Sequence, residues 1–583
     1  MRMRITRLWL YRLAFLISLA GLAALVAEQG LPHSQKEQQW LDGFFLAVLF
    51  TGLVATLSRY LLNPVLIRRK VALFDGLSLL LSLLVLLAHL LPAWDALASS
   101  TWHRPGWLHL GVFLTFVREF SDRRLNFKRT LFGPAQLFII SFLIIILSGT
   151  LLLLLPGATY TGIRFTDALF TATSAVCITG LIVVDTGSHF TPFGQTIVLL
   201  LIQVGGLGIL TFASYFSYFF KGGTTYENQL ALGDMTNSRK LGEVFATLRY
   251  ILVITFGIEL VAATFIYFSL PAGLFTNEPE RLFFAVFHAV SAFCNAGFTT
   301  LRNSLYEEGF RTNYPLQAII LVTFVLGSLG FPIVVNLLSY LRYRLQRLFT
   351  HRRQVVYRPW VLNLNSRINL ITAAGITGVG LLLFLLLEQN HTLTGQSAGS
   401  RLITALFGVT TPRSAGFNNF SMAALSLPAV LLLVLLMWIG GAPQSTGGGI
   451  KTTTFAIATL NILSLAKGKT RIEVFRREIA DISVRRSFAI ITLSLMIISA
   501  GIVLVKLLDP GQALRDIVFE CVSAYSTTGL SLGITSALSD ASKIILSAMM
   551  FVGRVSMLTV VIAVFRKVRD KNYRYPQEEL TIN

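Results

Sequence analysis

Charged side chains are scarce in this chain. Asp, Glu, Lys and Arg make up 13% of its 583 residues, against about 25% in an ordinary soluble domain. With 54% hydrophobic residues and a mean hydropathy of +0.68, a water-solvated surface is excluded for most of its length, and lipid is the solvent that fits. Acidic residues are scarcer still, 28 against 49 basic ones, for a formal net charge of +21. That excess does not gather on one polar domain. It falls in short clusters between apolar runs, as in the cytoplasmic loops of membrane proteins, and this excludes a nucleic-acid partner. There are only three cysteines, Cys177, Cys294 and Cys521. They have no metal-ligand spacing and cannot all pair, so a disulfide scaffold is excluded. The eight histidines are scattered, and no nucleophile, base and metal set converges to make a membrane-embedded hydrolase; the chain is not expected to be an enzyme.

Long apolar runs are abundant. Segments 135–156 and 488–508 approach the roughly 20 residues that a bilayer-spanning helix requires, and many others resemble them. The basic start MRMRITRLWLYR leads into an apolar run, and the following AEQGLPHSQKEQQW is no cleavage site, so an uncleaved first helix is expected. Residues 1–130 carry apolar runs near 10–27, 41–62, 71–92 and 106–120. They predict about four N-terminal membrane helices, the last of them short. No arginines recur every third residue within a run, so this extension does not read as a voltage sensor.

The rest of the chain repeats itself. A short hydroxyl-rich stretch, a glycine in a polar setting and a long apolar span recur as TATSAVCITGLIVVDT (171–186), FHAVSAFCNAGFTT (287–300), LFGVTTPRSAGFNNF (406–420) and FECVSAYSTTGLSLG (519–533). The central glycines, Gly180, Gly297, Gly416 and Gly529, are 117, 119 and 113 residues apart. Packing or turning would explain one or two such glycines, not four at near-constant spacing. Irregular backbone at membrane depth persists only where protein buries it or where it lines a watery path. A loop of this kind presents carbonyl oxygens that replace a cation's hydration shell, and glycine supplies the φ > 0 that turns successive carbonyls inward. A short helix ending at the loop aims its half-negative C-terminus at the same point. The prediction is an all-α polytopic membrane protein of four helix–pore-helix–helix repeats forming one pore, eight core spans in all. The expected boundaries are 1–130 for the extension, 131–221, 240–345, 362–466 and 485–570 for the repeats, and 571–583 for a cytoplasmic tail.

The linkers 221–249, 341–367 and 467–486 hold eighteen Lys and Arg, against seven in the four glycine-bearing segments. The positive-inside rule then places the linkers and both termini in the cytoplasm. Asp185, Glu307 and Glu308 fall at the outer mouths, where they either concentrate cations or are solvated loop acids. Two further features stand out. Segment 440–449, GGAPQSTGGG, cannot continue as a helix and must break the second span of the third repeat. It is not a phosphate loop, because Ile450 rather than glycine precedes Lys451. Arg554 lies mid-span in 541–565, about 16 Å from the cytoplasmic end. A charge at that depth faces a cavity or a partner.

The segments TATSAVCITGL, NAGF, TPRSAGF and WIGGAPQSTGGGIKTTTF resemble the Trk/Ktr/HKT superfamily of potassium transporters, its bacterial Trk and Ktr membrane subunits above all, over about residues 130–570. The resemblance implies potassium uptake with no covalent cofactor. Its filter would be Ile178, Thr179 and Gly180; Asn295, Ala296 and Gly297; Ser414, Ala415 and Gly416; and Thr527, Thr528 and Gly529. Potassium ions would bind at the last two residues of each set. Glycine at all four positions goes with potassium selectivity in that family, whereas sodium-preferring relatives carry serine at the first. The resemblance also implies a gate of Gly447, Gly448, Gly449 and Lys451 below the filter, with Arg554 as an electrostatic barrier; an arginine paired with a carbonyl in a helix interface is the other reading of that residue. It further implies a homodimer in the bacterial inner membrane, with a ring of cytosolic nucleotide-binding regulatory subunits on the basic linkers. Those linkers serve equally well as topology determinants and anionic-lipid contacts. The rival readings are the potassium-binding subunit of a P-type ATPase complex, a sodium-permeable cation transporter, and a secondary transporter with inverted repeats.

Overall fold

Long apolar runs become helices here that tolerate isolated glycines, and clusters of glycine and proline end them. The structure is a computed structural model that describes residues 2–62, 69–90, 105–121, 134–208, 241–271, 273–275, 277–349 and 361–555. The N-terminal helices are α1 (Arg2–Gly30), α2 (Gln35–Leu62), α3 (Arg69–Leu90) and α4 (Pro105–Ser121), four as expected. They pack as a bundle around Phe45, Val48, Val85 and Val112. Small residues let the backbones approach: a β-carbon on Gly21 would sit 2.9 Å from Val48. Two buried ion pairs cross the bundle, Arg59–Glu119 and Arg118–Asp75, each at 2.6 Å.

From residue 134 onward a long helix, a short helix and a further helical segment follow one another four times. The first set is α5 (Pro134–Leu153), α6 (Phe165–Val176) and α7 (Pro192–Leu207). The second is α8 (Leu241–Ser269), α9 (Glu278–Phe293), α10 (Tyr314–Ser328) and α11 (Phe331–Phe349). The third is α12 (Leu364–Glu388), α13 (Ala398–Thr410), α14 (Leu427–Trp438) and α15 (Thr452–Ala466). The fourth is α16 (Asp481–Leu508), α17 (Leu514–Tyr525) and α18 (Asp540–Val555). Hydroxyl and amide side chains start several of these: Thr191, Ser397 and Ser426 each accept a backbone N–H from the first turn. The short helices α6, α9, α13 and α17 are largely buried on their C-terminal halves.

Two breaks interrupt the long segments, where the sequence predicts one. The glycine-rich stretch separates α14 from α15, as expected. A second break lies between α10 and α11, which meet at 109°. Gly330 takes φ +79 there, and Pro332 has no N–H to give. The two breaks fit together. The Ser328 carbonyl accepts a hydrogen bond from Ala442 N at 2.8 Å, and a β-carbon on Gly330 would lie 2.7 Å from the Pro443 carbonyl oxygen. Among the described residues five helices are long and apolar enough to cross a membrane, or six with the bent pair, and further apolar helices are shorter. The breaks shorten α14 and α15, and α5, α7 and α18 adjoin residues outside the described set.

Candidate ion-conducting site

The short helices deliver four loops of one design. Helices α6, α9 and α17 stop at Val176, Phe293 and Tyr525, four residues before Gly180, Gly297 and Gly529. Each end closes with the same long backbone bond: Thr179 N to Ser174 O at 2.8 Å, Ala296 N to Ser291 O at 2.8 Å and Thr528 N to Ser523 O at 2.9 Å. Helix α13 stops earlier, at Thr410, because Pro412 has no N–H to continue the ladder, although Thr411 itself keeps helical backbone. Its loop closes through Ala415 N to Thr411 O at 2.9 Å.

The backbone then alternates. Ile178, Asn295, Ser414 and Thr527 have φ of 57, 57, 79 and 47, and the glycines two residues later have 86, 69, 80 and 88. Left-handed backbone at a residue other than glycine costs on the order of 1–3 kcal/mol and clusters at functional sites; here it recurs at one offset in all four loops. Alternation of this kind turns successive carbonyls to one side. Hydroxyls hold the strained loops. Ser174 Oγ donates to the Leu181 carbonyl (2.7 Å), Ser291 Oγ to Phe298 (2.6 Å) and Thr411 Oγ1 to Phe417 (2.5 Å). In the fourth loop Ser523 Oγ instead accepts from Gly529 N at 3.1 Å. There the buried Glu520 carboxylate accepts from Ser531 Oγ, Leu532 N and Thr535 Oγ1.

The four glycines close a ring in chain order. A β-carbon on Gly180 would fall onto the Ala296 carbonyl oxygen, one on Gly297 would sit 2.9 Å from Gly416 Cα, one on Gly416 would fall onto the Thr528 carbonyl oxygen, and one on Gly529 onto that of Thr179. A side chain at any of these positions would force a neighbouring loop to move. On one side the ring opens into a cavity of about 620 Å³ that all four glycines line, with Asp185 and Arg302 at its wall. Asp185 is engaged in its own turn, accepting from Ser188 N and Oγ at 2.7 Å, which favours the loop-acid reading of that residue. The buried hydroxyls of Thr179, Ser526 and Thr527 find no hydrogen-bond partner among the described residues.

The glycine-rich loop packs on the opposite side of the ring. Gly448 N donates to Ser414 Oγ at 2.7 Å, and Thr446 Oγ1 donates to the Phe293 carbonyl at 3.3 Å. A β-carbon on Gly448 would fall onto Thr527 Oγ1. The loop is closed on itself by Gly440 N to Ile450 O at 2.9 Å and by Lys451 Nζ to the Gly447 carbonyl. Arg554 ties it to the first repeat, donating from Nη1 to the Thr446 carbonyl and from Nη2 to Gly205 O at 2.8 Å. The neighbouring Gly553 lets α18 touch the Tyr525 carbonyl. Arg554 is thus bonded to carbonyls, one of them in the glycine-rich loop.

The structure thus places the four glycine loops side by side, with the glycine-rich loop and Arg554 packed against them. The sequence reading missed the hydroxyl pins, although Ser174, Ser291 and Ser523 each stand six residues before their glycine. It also missed Glu520 and the Gly330 break. The tail 571–583 and much of the basic linkers lie outside the described residues.

Residues 113–575 match the family model TrkH, described as a cation transport protein. The chain is 33% identical over 480 residues to the potassium/sodium uptake protein NtpJ of Enterococcus hirae, covering 80% of this chain and 100% of that one. It is 32% identical over 451 residues to the Ktr system potassium uptake protein B of Bacillus subtilis, covering 77% and 96%. Among solved structures, the potassium transporter TrkH from Vibrio parahaemolyticus matches with a TM-score of 0.58 at 19% identity, over 85% of this chain and 99% of that one. At that identity the likeness speaks to the fold alone.

Proposed function

This chain belongs to the TrkH family of cation transport proteins, and we propose that it takes up potassium through the ring formed by its four glycine loops. The observation that carries the reading is the fourfold recurrence of left-handed backbone at each glycine and at the residue two before it. Carbonyls set in this way replace the ion's water, and the C-terminal ends of α6, α9, α13 and α17 add half-negative charge toward the same point. An inside-negative membrane potential supplies roughly 2.3 kcal/mol per charge per 100 mV for entry, so movement is passive or weakly coupled. Glycine at the first position, Gly180, favours potassium over sodium. The relative named for both ions keeps a sodium-permeable transporter as the second reading. The uptake proteins among the relatives weigh against a P-type ATPase subunit.

The glycine-rich loop, with Gly447, Gly448, Gly449, Lys451 and Arg554, is the gate, held shut against Ser414 and Thr527. The charge asymmetry supports a multi-pass protein of the bacterial inner membrane with both termini in the cytoplasm. The resemblance supports a homodimer whose basic linkers carry a ring of nucleotide-binding regulatory subunits.

The test is rubidium uptake into vesicles holding this chain alone, with sodium as competitor, for the native protein and Gly180→Ser. The native chain should prefer potassium and rubidium. The variant should lose at least about tenfold of that preference, about 1.4 kcal/mol. Equal sodium and potassium entry in the native chain would refute the potassium assignment.

A further inference from the structure

Glu259 lies midway along the apolar stretch Tyr250–Ser269 of α8 and is buried, yet neither the ring nor the gate uses it. Its partners are neutral. Its two carboxyl oxygens lie 3.2 and 3.3 Å from the single Nε2 of Gln203 on α7, and Oε1 lies 3.9 Å from Sγ of Cys294 at the end of α9. Among the described residues no lysine, arginine or histidine forms an ion pair with it. Helices α10 and α11 also pack on α8, and from the described residues they bring no charged or titratable group into hydrogen-bond or ion-pair range. Cys294 is the one titratable side chain hydrogen-bonded to it. Two further polar atoms at this place are buried without a hydrogen bond: Oε1 of Gln203, and the hydroxyl of Thr255, one turn earlier on the same face of α8.

An ionised carboxylate at this depth with no counter-charge is expensive, and a buried amide oxygen without a donor adds to the penalty. One proton removes both problems. With the Gln203 amide turned from its present fork, a neutral Glu259 would donate its O–H to Gln203 Oε1 while Gln203 Nε2–H donates to the other carboxyl oxygen, a two-bond acid–amide pair. The site also touches the conduction machinery. Cys294 immediately precedes the left-handed Asn295, and a β-carbon on Gly206 of α7 would fall onto the Cys294 sulfur. Arg554 is bonded to Gly205, two residues from Gln203, while its other nitrogen holds the gate loop at Thr446.

We propose that Glu259 is a proton-binding site behind the second filter loop. Neutral, it leaves Arg554 on the gate; ionised, it draws that guanidinium from Thr446 and favours conduction. The consequence for flux rests on the filter and gate reading above, whereas the proton site itself does not. The test uses the full chain in lipid vesicles, native and Glu259→Gln, between about pH 5 and about pH 9, where buried glutamic acids titrate. Infrared difference spectra should contain a carboxylic-acid carbonyl band that the variant lacks and that fades as pH rises. Rubidium uptake by the native chain should rise with pH by about fivefold or more, the low end of ordinary coupling between two sites, and uptake by the variant should stay low and flat.

Carboxylate bands for Glu259 throughout the range, or the same rise in both proteins, would overturn the proposal. So would a band that disappears on adding sodium at fixed pH, which would make the four side chains a metal-ion site. Absence of uptake from both proteins would strike the transport reading instead, and the infrared titration would still decide the proton site.

Discussion

Residue by residue, the site depends on what is missing as much as on what is present. A β-carbon on any of the four ring glycines would strike a neighbouring loop, and one on Gly448 would strike Thr527 Oγ1, so the ring and its plug exist because side chains are absent. Arg554 is the opposite case, a charge held at depth by two carbonyls, Thr446 and Gly205. Hydrogen bonds to charged groups are worth about 1.5–3 kcal/mol each. Arg554→Gln, which shortens the reach and removes the charge, should free the gate loop and raise rubidium uptake by about tenfold, the effect of losing about one such bond. Uptake no higher than that of the native chain would show that the arginine does not latch the loop.

Among the elements, the short helices carry the precision. Each is buried where it meets its loop, and α6 is tied to α18 by an ion pair between Asp167 and Lys543 at 2.8 Å, both buried. Removing one partner of a buried pair costs up to about 3–5 kcal/mol where the other charge is left unpaired; without Lys543, Asp167 would keep only the exposed Arg164, at 3.2 Å. Lys543→Met should therefore lower the denaturant midpoint of the purified protein substantially. Adding Asp167→Asn should recover part of the loss, since no unpaired charge then remains. A double variant as unstable as the two single variants summed would mean that the pair is not coupled. The same reasoning explains why the α10–α11 break escaped sequence reading. Gly330 and Pro332 permit a bend, but a Gly-x-Pro cluster near a helix end is common, and the bend is required only by the loop 440–449 that packs against it.

Across the whole molecule, the N-terminal bundle and the four-loop unit meet where α1 ends. A β-carbon on Gly157 would fall onto the Gln29 carbonyl oxygen and lie 3.0 Å from Gly30 Cα, and one on Gly30 would come 2.7 Å from Leu155. Gly157→Leu should part the bundle from the loops at this seam. Hydrogen exchange at the end of α1 should then rise while the exchange of α6, α9, α13 and α17 stays unchanged. Unaltered exchange at 27–31 would mean that the contact contributes nothing to docking. The bundle's own pairs, Arg59–Glu119 and Arg118–Asp75, join α2, α3 and α4, which show no arginine periodicity. They read as internal staples and not as a ladder of gating charges.

Composition alone determined that this is a helical membrane protein, because no other solvent accommodates so little charge on so much apolar surface. Spacing alone singled out the four glycines, because independent turns do not recur at intervals of 117, 119 and 113 residues. The glycine-rich interruption was legible for the same local reason, since a helix cannot run through it. Only the tertiary structure decided which atoms meet. The closure of four loops into a ring, the seating of the glycine-rich loop on Ser414 and Thr527, and the choice of Thr446 and Gly205 as partners of Arg554 all join residues far apart in the chain. Glu259 and Gln203 belong to the same class: each is a single polar residue in an apolar run, and only the packing of α7 on α8 makes them a pair. Local sequence dictates where a backbone can turn, whereas the partner that a polar group finds at membrane depth is set by which helices lie beside it.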